Sequence, residues 1–227
     1  NSTGMILGTG AAVELDNLTI TGAGSAKGLV VSDGIVATVN GGKITTDAGI
    51  AVNLLSGNLT LNDVNITTEG DDAMGFNAQS GTVVLTGGSV ETMGEESNAL
   101  YTENEIQGTG LEIITRGNAS VALDVQQGAT GILLNSIVNT YGDVSSAIES
   151  QDGATITADN VHITTIGHES YGIWSRGSEL AISNSTITTA ATTASGMYVG
   201  GLGAGDSTIS LDTVTIDAQQ AQAIEFN

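Results

Sequence analysis

The sequence contains no proline and no cysteine, and its aromatic and basic residues are few. Because proline cannot donate a hydrogen bond to a β-sheet, its absence fits a fold in which nearly every strand lies between two others. Without cysteine, the fold depends on no disulfide. We also expect no metal and no cofactor, so the stability of the chain must come from the stacking of its own parts.

Positive charge is also scarce, since four basic residues stand against 25 acidic ones and the formal net charge is −21. Phosphate and sulfate groups are bound by clustered lysine and arginine, so we expect no nucleic acid, heparin-like polymer or anionic membrane as a partner. No apolar run approaches the length of a transmembrane helix, and the first residues lack the basic segment of a signal peptide. We therefore expect no direct membrane insertion.

What the sequence does contain is one template of about 24 residues in nine successive copies, which is the signature of a solenoid. In the first half of the template, two apolar-x-apolar triplets flank a corner pair, as in Val13–Ile20. The corner pairs are Asp16-Asn17, Asn40-Gly41, Asn62-Asp63, Thr86-Gly87, Thr109-Gly110, Asn135-Ser136, Asp159-Asn160, Ser183-Asn184 and Asp212-Thr213. We take the copy around Asn135–Thr140 as one residue short.

In the second half of the template, a small residue precedes an apolar one. These pairs are Gly28-Leu29, Gly49-Ile50, Gly75-Phe76, Ala99-Leu100, Ala122-Leu123, Ala147-Ile148, Gly172-Ile173, Gly196-Met197 and Ala223-Ile224. Alternation of apolar and polar residues over three to five positions is the period of a β-strand, and no helical stripe is present. The sequence thus predicts an all-β protein.

Short strands separated by one tight corner and two longer turns predict three strands per coil. The predicted fold is a right-handed, single-stranded parallel β-helix of about nine coils, with its hand taken from the crossover rule. At ~4.8 Å per coil, the rod is on the order of 40 Å long. A β-sandwich is the second choice, but it does not explain a fixed period with a fixed corner chemistry.

The ends of the sequence carry no polar capping repeat, and the last residues, Ala223–Asn227, begin a tenth coil. A bare coil exposes unpaired strand edges, so solenoids normally end in caps. We therefore expect residues 1–227 to form a single β-helix domain that is a fragment of a longer protein.

Five Thr-x-Gly turns each precede a strand of the second half: Thr68-Glu69-Gly70, Thr92-Met93-Gly94, Thr115-Arg116-Gly117, Thr140-Tyr141-Gly142 and Thr165-Ile166-Gly167. In this pattern, the whole chain resembles the passenger domains of bacterial autotransporters, the pertactin-like and self-associating adhesin group. The resemblance implies a β-helix that a C-terminal β-barrel, absent from this sequence, carries to the bacterial surface or releases. It implies adhesion more often than catalysis, with a host glycan, a host matrix or surface protein, or another copy as the partner.

The residue after each inward apolar residue of the second half must point outward. Down the coils, this position reads Val30, Ala51, Asn77, Tyr101, Asp124, Glu149, Trp174, Tyr198 and Glu225, and Arg176 is expected near Trp174. We predict that Tyr101, Asp124, Glu149, Trp174 and Tyr198 bind the ligand, because aromatic faces pack on sugar rings or anchor proteins and carboxylates accept hydrogen bonds from hydroxyls. The alternative is that the aromatics only stack on each other and stabilise the sheet.

The acidic pair allows two further interpretations. On neighbouring coils, Asp124 and Glu149 would hold their carboxyl groups about 5 Å apart, as in retaining glycosidases, and repulsion would raise one pKa. The pair could also contact calcium, which prefers more oxygen ligands than two side chains supply. A lone glycine-rich copy of a calcium-binding repeat, Gly200–Gly203, predicts a loop rather than a metal site.

The serine-protease motif is broken, because Gly205-Asp206-Ser207 is followed by Thr208, and the catalytic signature of pectin-degrading β-helices is missing. We therefore predict no catalytic residues and no enzyme. The predicted function is adhesion at the bacterial surface. A stalk segment of a longer passenger is the first alternative, and a carbohydrate-active β-helix is a remote one.

Charge also collects in the turns that follow the second strand, at Glu69, Asp71, Asp72, Glu95, Glu96, Asp143 and Glu169. Stacked coils would align these residues as an acidic ridge along one edge. Such a ridge either discourages aggregation of the rods or meets a basic patch on a host protein or a second copy.

Overall fold

The computed structural model describes residues 3–10, 12–200 and 205–227. These residues form strands and turns but no helix, and therefore no helix that is long and apolar enough to cross a membrane. Each strand pairs in parallel with its counterpart on the neighbouring coil, which confirms the predicted parallel β-helix of about nine coils. The right hand of the coil stays a prediction from the crossover rule. Apart from Gly200, the loop predicted at Gly200–Gly203 lies outside the described residues.

The strands are short, and most contain three to five residues. In chain order they are β1 Thr3–Leu7, β2 Val13–Gly22, β3 Lys27–Val31, β4 Val36–Thr46, β5 Val52–Leu54, β6 Asn58–Thr68, β7 Phe76–Ala78, β8 Thr82–Thr86, β9 Ser89–Thr92, β10 Leu100–Thr102, β11 Glu105–Thr109, β12 Glu112–Thr115, β13 Leu123–Val125, β14 Thr130–Leu134, β15 Ile137–Thr140, β16 Ile148–Gln151, β17 Thr155–Asp159, β18 His162–Thr165, β19 Ile173–Arg176, β20 Glu179–Ser183, β21 Thr186–Thr189, β22 Met197–Val199, β23 Thr208–Asp212, β24 Thr215–Ala218 and β25 Ile224–Phe226.

Two sheets run along the rod. The narrow sheet takes one strand from each coil, in the order β1-β3-β5-β7-β10-β13-β16-β19-β22-β25. The bent sheet takes the remaining strands, two per coil on either side of the corner. In the first coils these two strands are continuous, as β2, β4 and β6, so the predicted three separate strands per coil begin with β7, β8 and β9.

The corner of the bent sheet places one residue per coil in the left-handed region. Asn17 has a φ of 52° and Asn160 a φ of 52°, while Gly87 supplies the same conformation with a φ of 62°. Asparagine and glycine adopt this region at low cost, which explains the turn-forming corner pairs. In the sixth copy the left-handed residue is Asn135, and Leu134 pairs with Asp159. The corner pair is thus Leu134-Asn135 rather than the predicted Asn135-Ser136, and no residue is missing from that copy.

A second correction concerns the second coil. Val52, not Ile50, pairs with Leu29 and Phe76, so Ala51 is the small residue of that coil and Asn53 is the outward one. Two small-apolar pairs follow each other at residues 49–52, and the pattern alone favours the wrong one. Val52 is fully buried, whereas Ile50 lies partly exposed two residues before it.

The core is a single stack of inward-facing side chains from both sheets. Its largest fully buried members are Phe76, Leu29, Ile44, Leu54, Leu59, Leu61, Ile66, Leu100, Ile106, Ile113, Leu123 and Leu133. Since each coil contributes the same few positions, the apolar column runs the length of the rod, and burial on this scale supplies the main favourable term for folding.

The turns that follow the bent sheet are held by a buried serine ladder that our sequence analysis missed. The hydroxyl of Ser145 accepts a hydrogen bond from the Ser120 backbone N–H at 3.1 Å and donates one to the Gly117 carbonyl at 3.0 Å. Ser120 and Ser170 repeat this arrangement one coil to either side. The sequence signal is a serine five residues after the threonine of each Thr-x-Gly turn from Thr92 onward.

Candidate binding surface on the narrow sheet

The five predicted site residues lie side by side on consecutive strands of the narrow sheet. Tyr101 pairs with Asp124, Asp124 with Glu149, Glu149 with Trp174, and Trp174 with Tyr198. Asn77 precedes them and Glu225 follows, in the same register. We call the row Asn53, Asn77, Tyr101, Asp124, Glu149, Trp174, Tyr198 and Glu225 the outer row. At ~4.8 Å per strand, its stretch from Tyr101 to Tyr198 measures about 19 Å.

The outer row faces away from the core because the strand alternates. In β10, Leu100 and Thr102 are fully buried, and Tyr101 between them is partly exposed. The small residue that opens each repeat, such as Ala99, is also fully buried, and the chain bends there. Of the residues that precede it, Asn98 and Tyr171 are partly exposed, whereas Val121, Ser146 and Ser195 are buried.

This bend places a second row of side chains beside the outer row. The flanking row consists of Asn98, Val121, Ser146, Tyr171 and Ser195. Three of its members contact the outer-row residue of the next coil: Asn98 Nδ2 donates to Asp124 Oδ2 at 3.0 Å, the Tyr171 and Tyr198 rings lie 5.1 Å apart, and Ser195 Oγ donates to Glu225 Oε2 at 2.8 Å. The flanking row therefore covers part of the outer row.

Asp124 is the most enclosed of the five site residues, with only 7 % of its surface exposed. Besides Asn98, it accepts a hydrogen bond from Gln126 Nε2 at 2.5 Å. Loss of solvation raises the pKa of Asp124 to about 6, and the hydrogen bond from Gln126 opposes this rise. Two donors from the same molecule thus already occupy this carboxylate.

Glu149 lies next to Asp124 and is partly exposed. Burial is the largest cause that raises its pKa to about 7, the charge of Asp124 adds to the rise, and a hydrogen bond with Ser146 opposes it. Repulsion, the predicted cause of a raised pKa, is thus secondary to desolvation. Near neutral pH, the pair carries less than its full two charges.

The aromatic members each have a polar or aromatic neighbour. The Tyr101 hydroxyl donates to Glu103 Oε1 at 2.6 Å, and burial together with Glu103 raises the pKa of Tyr101 far above its usual range. The guanidinium of Arg176 lies 5.7 Å from the centre of the Trp174 ring, as the sequence predicts. The rings of Tyr198 and Tyr171 make a diagonal contact between the two rows, which the predicted stacking of adjacent outer-row aromatics does not include.

Tyr171 is the one aromatic residue of this surface that our sequence analysis missed. Strict alternation along the strand would place Tyr171 on the face opposite to Tyr198. The bend at Gly172 brings the two rings to the same face. The sequence feature that could have identified Tyr171 is its position immediately before the small-apolar pair, which is the flanking position in every coil.

The described residues include no group of three or more histidine, cysteine, aspartate or glutamate side chains that could hold a metal ion. Asp124 and Glu149 together supply only two side chains, and calcium prefers six to eight oxygen ligands. The chemistry that this surface offers is therefore a set of hydrogen-bonding carboxyl groups between aromatic faces.

Comparison with known proteins supports the fold but gives no family. No family model matches the chain, and no curated protein matches it. Among solved structures, the chain is similar to the Vag8 chain in the cryo-EM structure of the Vag8–C1 inhibitor complex, with a TM-score of 0.77 and 17 % sequence identity. The similarity covers 99 % of this chain and 58 % of the other, so this chain spans little more than half of that length. At this identity the likeness defines the class as a parallel β-helix.

Proposed function

We propose that this chain is part of the passenger domain of a bacterial autotransporter, displayed at the cell surface or secreted, and that it acts in adhesion through the outer row. The Thr-x-Gly turns support the first half of the proposal, and the likeness to Vag8 supports the β-helix fold on which it rests. Vag8 was solved in a complex with C1 inhibitor, so a β-helix of this kind can present a surface to a partner.

The observation that carries the adhesive role is the unbroken run from Tyr101 to Tyr198. Two partly or fully buried carboxyl groups lie between aromatic residues, on a face about 19 Å long. Aromatic rings pack against the apolar faces of sugars, and carboxyl groups hydrogen-bond to hydroxyls. The proposed ligand is an oligosaccharide that spans several coils, in preference to a single sugar.

A spacer function is the second candidate, and one observation favours it. Several polar groups of the outer row already find partners in the same molecule, as Asp124 does with Asn98 and Gln126 and Glu225 does with Ser195, whereas the side-chain oxygens of Asn53 and Asn77 are buried without a partner. Groups paired in this way stabilise the stack without a ligand. In that case, the chain only carries a binding domain located elsewhere in the passenger.

We prefer a non-enzymatic role over glycoside hydrolysis. A retaining glycosidase needs one ionised carboxylate free to attack the sugar and a second carboxyl group as the acid. Asp124 is 7 % exposed and held by two donors, which leaves it no path to a sugar carbon. Release of reducing sugar from bacterial or host polysaccharides that disappears in Glu149→Gln would contradict this preference.

A glycan array tests the binding role. The Trp174→Ala/Tyr198→Ala double variant removes two aromatic faces of the outer row, and Tyr141→Ala removes an exposed tyrosine that lies on a turn of the coil, outside the outer row. We expect the unmodified chain and Tyr141→Ala to bind the same glycans, and the double variant to lose at least about tenfold in affinity, as loss of aromatic anchors does elsewhere. Circular dichroism would check that each variant is folded. Binding that the double variant retains would place the site elsewhere, and no binding by any form would favour the spacer.

A further inference from the structure

A second surface lies on the turns after the bent sheet, away from the outer row. The middle residues of four successive Thr-x-Gly turns are Met93, Arg116, Tyr141 and Ile166. Backbone hydrogen bonds to the preceding coil align these turns. The Arg116 N–H donates to the Thr92 carbonyl at 2.9 Å, the Tyr141 N–H to the Thr115 carbonyl at 2.9 Å, and the Ile166 N–H to the Thr140 carbonyl at 3.1 Å. We call these four residues the turn stripe.

Three of the four residues of the turn stripe carry large hydrophobic side chains although they face solvent. Met93 is 42 % exposed, Tyr141 43 % and Ile166 47 %. The turn itself requires no apolar residue there, since the polar residues Glu69 and Gln219 make the equivalent backbone hydrogen bond on other coils. Contiguous exposed apolar side chains on an otherwise polar surface mark interaction sites, and methionine, tyrosine and arginine are enriched at them.

Arg116 extends this surface instead of interrupting it with a free charge. Its Nε donates to Glu91 Oε1 at 2.6 Å, and its guanidinium lies 5.1 Å from the centre of the Tyr141 ring. The charge is thus paired, and the planar group stacks on the neighbouring aromatic. The stripe offers a partner a continuous surface of methionine, stacked guanidinium and tyrosine, and isoleucine.

The predicted acidic ridge runs beside the stripe. Two or three residues further along the turns lie exposed acidic residues: Asp71 and Asp72, Glu95 and Glu96, Asp143, and Glu169. The Arg116 turn carries Asn118 and Ala119 at these positions and interrupts the series. The Asp71 carboxylate accepts a hydrogen bond from the Glu95 backbone N–H at 2.9 Å, and that of Asp143 accepts one from the His168 N–H at 2.8 Å. A partner that covers the stripe therefore meets carboxylates along one side, beside the turns of Met93, Tyr141 and Ile166.

We infer that the turn stripe and the acidic ridge together form a docking surface for a basic protein segment that carries apolar side chains. Charge complementarity determines the kind of partner. A second copy of this chain does not fit, because its net charge is −21 and two of its four cations, Arg116 and Arg176, already face Glu91 and Asp152. Apolar side chains of the partner cover the stripe, and its lysine or arginine residues meet the ridge.

Three short fluorescein-labelled peptides test this inference by fluorescence anisotropy. One alternates leucine with lysine, the second alternates serine with lysine, and the third alternates leucine with glutamate. We expect binding of the leucine-lysine peptide only, and a strong decrease of that binding with added salt because part of the attraction is between exposed charges. Equal binding of the serine-lysine peptide would overturn the inference, since charge alone would then suffice, and so would no binding of the leucine-lysine peptide.

Two variants locate the site. Met93→Ser/Tyr141→Ser/Ile166→Ser removes the apolar side chains of the stripe, and Val36→Ser/Leu55→Ser/Ile137→Ser is a matched control that removes three exposed apolar side chains elsewhere. We expect the first to weaken binding of the leucine-lysine peptide by about tenfold or more and the second to leave it unchanged. Thermal unfolding would confirm that both are folded. Equal losses in both variants would contradict the assignment, and because the outer row is intact in both, this result is independent of the glycan experiment.

Discussion

At the scale of single residues, the outer row shows how a repeated template creates an unusual environment for two acids. An aspartate on the outside of a sheet is normally solvated, but the flanking row covers Asp124 so that only 7 % of its surface is exposed. Glu149 stacks on it one coil later, so loss of solvation and the neighbouring charge act in the same direction on Glu149. The pair is held in place by the register of the coils and costs stability whenever it is ionised.

This cost predicts a pH dependence of stability. The pKa of Glu149 is about 7 in the folded chain and 4.5 without the fold's influence, so the folded state holds its proton to higher pH than the unfolded state. Its contribution to stability is fully present below about pH 4.5 and is lost as the pH rises through about 7. As the pH rises from about 5 to about 8, the free energy of unfolding should therefore fall by roughly 1–3 kcal/mol more in the unmodified chain than in Glu149→Gln.

Urea unfolding at several pH values would measure this difference. Glu179→Gln provides the control, because Glu179 is an exposed glutamate at the start of β20. The control should follow the unmodified chain at every pH. If the Glu149→Gln curve also runs parallel to that of the unmodified chain, the carboxyl group of Glu149 is not desolvated as described here.

At the scale of the element, the Thr-x-Gly turns are fixed by contacts between coils. A side chain at Gly117 would collide with the Gly94 carbonyl of the preceding coil, and one at Gly142 would collide with the Gly117 carbonyl. Beside these glycines, the hydroxyls of the serine ladder satisfy backbone groups that lie between the turns. The glycine is therefore required by the close approach of two backbones, and not by the φ angle of the turn.

Gly117→Ala should consequently destabilise the chain by at least about 2 kcal/mol, because the backbone must shift to admit the methyl group. Gly205→Ala is the matched control, since a Cβ at Gly205 meets no atom within 4 Å. Its free energy of unfolding should stay within about 0.5 kcal/mol of the unmodified value. Chemical denaturation followed by circular dichroism measures both, and similar values for the two variants would refute the steric account.

The same element shows what the sequence could and could not predict. The period and the alternation of apolar residues were enough to place Tyr101 through Tyr198 on one row, because every strand of the narrow sheet has the same inward position. They failed at Ala51, where two candidate pairs overlap and only packing against Leu29 and Phe76 decides between them. They also missed Tyr171, because the bend at the small residue breaks the alternation.

At the scale of the whole molecule, different parts of each coil have different roles. The core column and the backbone ladders supply the stability, the narrow sheet carries the outer row, and the turns carry the stripe and the ridge. A net charge of −21 on such a rod favours solubility and opposes contact between copies. The central claim of our account is that the proposed adhesion comes from local chemistry on one face of the rod.

Attachment of protein-coated beads to epithelial cells tests that claim most directly. Beads would carry the unmodified chain, the Trp174→Ala/Tyr198→Ala variant or the Met93→Ser/Tyr141→Ser/Ile166→Ser variant at equal density. Our account predicts that beads with the unmodified chain attach and that the Trp174→Ala/Tyr198→Ala beads lose most of this attachment, whatever the stripe variant does. Equal attachment of the unmodified and the Trp174→Ala/Tyr198→Ala beads, or no attachment by any of them, would contradict an adhesive role of the outer row.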